Sequence, residues 1–150
     1  MAVQTSAGAT LAVVADQPAT EDQAGYEALT YTNVGEISDM GAFGATYELV
    51  TFNDIGTRVT RKFKGTVNYG SMQLTLGRDP SDAGQTVLIE GADGTEVDTV
   101  HSFEVTLQDG EVQYFQGKIM SYDTQVGAAN NIVSANTTVE LDSTIIRVTP

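Results

Sequence analysis

Few residues in this 150-residue chain could do chemistry: there is one histidine, His101, no cysteine, and twenty carboxylates that form no cluster at metal-ligand spacing. Acid–base or nucleophilic catalysis needs a histidine, thiol or serine in a defined relation to an acid, and nothing stands in such a relation to His101. Placed at the start of a strand, His101 reads as a surface or edge residue. Asp93-Gly94-Thr95-Glu96-Val97-Asp98 has the look of a calcium loop but lacks the regular acid spacing and the distal glutamate, so it reads as a solvated acidic turn. None of Gly41-x-x-Gly44, Gly56 or Gly65 follows a strand and opens a helix, as a phosphate cradle would. The residues therefore predict no enzyme, no metal, no cofactor and no small-molecule substrate.

Charge is more informative. The chain carries a net charge of -13, yet four of its seven cations, Arg58, Arg61, Lys62 and Lys64, fall between residues 58 and 64. Residues 1–57 hold Asp16, Glu21, Asp22, Glu27, Glu36, Asp39, Glu48 and Asp54 and no cation. An acidic excess of this size argues against nucleic-acid binding, which draws affinity from cations that displace condensed counterions. The basic run has two readings. It can be a solvated edge that blunts aggregation, or a patch whose complement is the acidic surface of a neighbouring copy, a heterologous contact that builds rings or filaments. The nearby aromatics Phe43, Tyr47 and Phe52 divide in the same way, between burial in their own subunit and an intersubunit role.

The elements that must position these residues are mostly strands. The length fits one domain, and no apolar run approaches the roughly 20 residues of a membrane helix. The N-terminus lacks the basic start and apolar centre of a signal peptide, so the chain is expected to stay where it is made. Residues 1–23 read as an irregular arm anchored by Leu11, Val13 and Val14, and a short strand is expected around Val34 to Ile37. Residues 40–64 read as a long loop. After Gly65, Val67 and Tyr69 share one parity while Met72, Leu74 and Leu76 take the other, which predicts a β-bulge at Gly70-Ser71. Asp79-Pro80-Ser81-Asp82 predicts the only real helix, about three turns, with Asp79 as cap, Pro80 at its first position and Gly91 as its stop. Phe103, Val105 and Leu107 alternate toward Asp109-Gly110, a type I′ turn pair, and Val112 to Lys118 return as the partner strand. Ile119 to Val126 and Val133 to Leu141 add strands, and Thr144 to Thr149 closes the chain as a terminal strand or arm.

Taken together, several segments resemble the major tail tube protein of long, non-contractile-tailed bacteriophages (the siphophage tail tube family). They are Ala7-Gly8-Ala9-Thr10-Leu11-Ala12-Val13, Tyr26 to Ile37, Gly65 to Met72, Arg78-Asp79-Pro80-Ser81-Asp82-Ala83-Gly84-Gln85, and Phe115 to Val126 ending in Asn131-Ile132-Val133-Ser134. The resemblance implies a mainly β fold, a sandwich or barrel with one flanking α-helix, over a single domain spanning 1–150. It implies a virion tail component, assembled in the host cytoplasm, whose homohexameric rings stack into a tube. DNA would pass through without specific binding, and tape-measure and tail terminator or tip proteins would be partners. It also implies that residues 1–23, 40–64 and 142–150 bridge subunits and rings, so that Phe43, Tyr47, Phe52, Arg58, Arg61, Lys62 and Lys64 are the candidate contacts. An inner-tube protein of a contractile injection system and a non-assembling carbohydrate-binding β-sandwich are the rival readings.

Overall fold

The computed structural model describes residues 3–150, and the expected arm's Met1 and Ala2 lie outside them. Seven strands follow one another in a single antiparallel sheet: β2 (Thr32–Val34), β1 (Thr10–Val14), β7 (His101–Thr106), β8 (Val112–Gln125), β9 (Ser134–Leu141), β6 (Ser71–Gly77) and β3 (Ile37–Asp39). The last strand, β10 (Ile146–Val148), pairs with the start of β8. β2 and β3 sit at opposite ends of this order, yet only Gly35 and Glu36 separate them in the chain. The sheet has therefore curled until its edges nearly meet, without closing into a hydrogen-bonded barrel. The single strand expected at Val34 to Ile37 is these two short ones, broken where Glu36 takes a φ of 62°.

The core fills the inside of this curl. Alternation places Met72, Leu74 and Leu76 of β6 opposite Val139, Thr137 and Ala135 of β9, all buried. Leu11, Val13, Phe103, Val105, Phe115 and Ile119 complete the interior from β1, β7 and β8. Phe103 stacks on Phe115 with ring centroids 5.3 Å apart. The strands expected on either side of Ile119 are one, β8, which absorbs a register shift between Ile119 and Ser121. The β7–β8 hairpin turns differently from the expected type I′. Gly110 has a φ of 99°, Asp109 keeps a negative one, and Leu107 both accepts from the Gly110 N–H and donates to Glu111 O, the pattern of a three-residue loop with a glycine bulge.

The helix α2 (Ala83–Asp93) packs against β8, β2 and β1, with its own Leu88 buried in the core. Its cap is Asp82, three residues later than expected, because the Asp79 carboxylate is occupied by the backbone N–H and hydroxyl of Ser81. That pairing holds the Asp79 carboxyl below its ordinary range, through the Ser81 hydroxyl first. Asp82 Oδ2 accepts from Gln85 N at 3.0 Å and Gly35 N at 3.1 Å, tying the cap to the β2–β3 junction. Gln85, fully buried, completes the tie: its amide donates to Gly77 O and Gly35 O and accepts from Asp79 N–H, Arg78 and Tyr122. A Cβ on Gly84 would lie 2.6 Å from Val34 Cα, so only glycine lets the helix sit this close. Gly91 is no stop. It is a buried position inside α2, and the helix ends at Gly94.

Three further expectations change. His101 is fully buried, not at the surface; its ring sits under α2, where a Cβ on Gly91 would come within 2.8 Å of Cε1. A second, five-residue helix, α1 (Gln23–Glu27), buries Tyr26 against Tyr114 on the outer face of β8. Within the expected arm, β1 is an interior strand of the sheet. Residues 142–148 pack on the sheet, as the strand expected at the end of the chain does: Gln116 N donates to Ser143 Oγ at 2.9 Å, Ile145 is buried, and β10 pairs with β8.

Candidate functional site

Residues 40–64, expected as a loop, contain most of a freestanding hairpin. β4 (Thr46–Asn53) and β5 (Thr60–Asn68) pair with each other and with no other strand. The parity change after Tyr69 has the same origin. It is no bulge within a strand but the place where the chain leaves this hairpin for the main sheet, with Gly70 at a φ of 80° making the corner.

The register assigns the hairpin's side chains to two faces. Val50 opposes Phe63 and Phe52 opposes Arg61 on one; Leu49 opposes Lys64 and Thr51 opposes Lys62 on the other. Tyr47 shares the parity of Leu49 and so the lysine face, where Lys64 Nζ lies 4.6 Å from its ring centroid, while β5 absorbs an extra residue opposite this pair. Neither face is covered. Leu49 is 64% exposed, Phe52 56%, Phe63 51%, and Ile55 at the tip 95%. A two-stranded hairpin is marginal alone in water and gains stability by packing an apolar face, and apolar side chains clustered on a surface mark interaction sites.

Its electrostatics are inverted relative to the body. The segment 46–68 carries four cations against Glu48 and Asp54, whereas the rest of the chain has eighteen acids and three cations. Among the described residues the one ion pair is Lys118 Nζ with Asp142 Oδ2 at 3.9 Å, so Arg58, Arg61, Lys62 and Lys64 have no acidic partner in their own subunit. At the tip, Asp54 accepts from the Gly56 N–H at 2.8 Å through its side chain and from the Arg58 N–H at 2.9 Å through its carbonyl. Arg58 takes a φ of 60° there, unusual for a residue with a Cβ.

Of the seven candidate contacts, six share this hairpin: Tyr47, Phe52, Arg61, Lys62 and Lys64 on the strands, Arg58 at the turn. Phe43 lies apart. Its ring packs 5.1 Å from that of Phe115 against the core of its own subunit. Leu49, Val50, Ile55, Val59 and Phe63 are exposed on the same hairpin and were not among the candidates. Among the described residues no group of three or more histidine, aspartate or glutamate side chains could hold a metal ion. His101 has Nδ1 3.1 Å from Thr99 O and Nε2 without a partner, and burial pushes its pKa down. The surface is suited to contact rather than to catalysis.

No protein-family model matches the sequence, and no curated protein matches it. Solved structures do share its fold. A chain of the sheath/tube terminator of PVC, an extracellular contractile injection system, in its extended state aligns with a TM-score of 0.71 at 12% identity, covering 99% of both chains. A chain in the C6-symmetric tail of an empty GTA particle aligns at 0.66 and 13%, covering 95% of this chain and 97% of that one. A chain of the tube-terminating cap of the anti-feeding prophage aligns at 0.63 and 16%, covering 100% and 95%. The chain thus has the mainly β fold found in phage-like tails and injection systems.

Proposed function

We propose that this chain is a structural subunit of a phage-type tail, forming rings that stack into a tube. The observation that carries the proposal is the uncovered hairpin. A fold that recurs in tail assemblies here projects an apolar, cationic arm with no partner in its own subunit, from a body whose surface is anionic. Such an arm is complementary to another copy and to little else in the chain's composition. Six-fold rings are the natural closed form, since the GTA tail with this fold has C6 symmetry. Tape-measure and terminator or tip proteins would then cap and fill the tube. DNA would pass through without being gripped, repelled by carboxylates whose influence reaches roughly 8 Å at physiological salt.

A tube or terminator component of a contractile system is the second reading, favoured by the likeness to the PVC terminator. Negative-stain microscopy of the purified protein over a concentration series tests both. Rings or hollow tubes are expected; a monomer at every concentration and salt tried refutes the proposal. Arg61→Glu with Lys62→Glu should leave the monomer folded and prevent growth at low salt.

A further inference from the structure

A groove of about 550 Å³ opens beside the root of the hairpin. Met40, Phe43, Val105 and Leu107 supply apolar lining, and Asp39 and Arg147 add one charge of each sign. Asp39 and Arg147 are exposed, and neither forms an ion pair within its own subunit. The hairpin tip has the matching set: Ile55 and Val59 are exposed apolar side chains, flanked by Asp54 and Arg58.

We infer that this groove receives the Asp54–Val59 tip of a second copy of the chain, with Ile55 on the apolar lining, Arg58 against Asp39 and Asp54 against Arg147. The inference deepens the assembly reading above and rests on it. Three observations converge on the tip as occupant. Charge is complementary in both directions, so a reversed docking would place like charges together. The Arg58 backbone is held in a conformation that side chains rarely adopt, and strain of this kind collects at functional sites. Reach argues against the tip's own groove: β4 places eight residues, roughly 25 Å at about 3.3 Å per residue, between the tip and residues 40–43 of the groove, which precede the hairpin's base. A socket at the root and a plug at the tip of the same arm give a head-to-tail contact with one polarity. Each copy would then be displaced from the next by about one hairpin length.

The absence of cysteine makes a direct test clean. Ile55→Cys and Ala42→Cys, the latter exposed in the groove wall, are prepared as separate proteins of distinguishable mass, mixed under assembly conditions and oxidised. A disulfide-linked pair containing one of each is expected, at least tenfold in excess of the pair formed between Ile55→Cys and Val97→Cys, an exposed position away from both surfaces. A second arm reverses charge: Asp39→Arg alone should raise the concentration needed for assembly at least tenfold, and adding Arg58→Glu should restore it. Rings or tubes that form without the Ile55–Ala42 link overturn the inference and leave the assembly reading standing. A link without rings or tubes supports the contact and removes the tail reading. Neither link nor particles removes both.

Discussion

Replacing Phe52 with threonine separates folding from assembly. Threonine is β-branched and, like phenylalanine, favours extended backbone, so the strand's preference survives while the ring is lost. Phe52 is 56% exposed in the single subunit, on the same face as Val50 and Phe63. Taking roughly 200 Å² for a phenylalanine side chain, about 110 Å² of ring surface is left for a partner to cover. At about 25 cal/mol per Å² this is worth roughly 2.8 kcal/mol, of which a threonine at the same place would recover about a third. The net loss of about 2 kcal/mol per contact corresponds to a rise of about 30-fold in the concentration at which subunits associate. Sedimentation or light scattering across a dilution series measures that threshold, and calorimetry of the dilute monomer supplies the control. The melting temperature should move by no more than about 1 °C, because the ring touches nothing in the core. An unchanged threshold would refute the hairpin as the contact surface. A monomer melting several degrees lower would show that the ring already has a partner within its own subunit.

The remaining predictions concern the body of the fold. Gln85→Leu keeps the volume but strands Asp79 N–H and the carbonyls of Gly77 and Gly35, so at about 1–3 kcal/mol per unsatisfied group and about 2–4 °C per kcal/mol the melting temperature measured by calorimetry should fall by at least roughly 6 °C. Burial depresses the His101 pKa below its unfolded value of about 6.5, so the neutral ring's contribution is complete above that pH and is lost as pH falls toward the folded value. Denaturant titrations of His101→Gln at pH 7.5 and 5.5 should show a smaller acid-induced loss of stability than the parent. The capping and turn carboxylates Asp22, Asp79, Glu90 and Asp109, all held below their ordinary values by hydrogen bonds, lose their contribution in a lower window, from about pH 5 downward, and are common to parent and variant.

The parts of the fold legible in the residues are those where a local pattern has one structural meaning. Alternation at Phe103, Val105 and Leu107 around a glycine turn marked the β7–β8 hairpin, and the parity of Ala135, Thr137, Val139 and Leu141 marked the core face of β9. The acid-rich entry to α2 marked the helix, but its expected cap, Asp79, is occupied by Ser81 and hydrogen bonding makes Asp82 the cap instead. The hairpin β4–β5 was illegible as strands for an opposite reason. Its apolar residues lie on both faces, since neither face meets a core, so the alternation that identifies a half-buried strand never develops. His101 was misplaced because burial depends on what crosses over a strand, and α2 arrives from a distant part of the sequence.

By itself, then, the sequence determined a mainly β fold and the concentration of cations at residues 58–64. Those follow from composition and short-range periodicity, which act between neighbours in the chain. Tertiary structure alone decided that β2 and β3 close toward each other from opposite ends of one sheet, that Gly70 turns the chain from one sheet to another, and that an apolar hairpin stands clear of the body beside a groove at its base. Strand partners are chosen by long-range hydrogen bonding and shared burial across the whole core, and no local window of residues contains that competition.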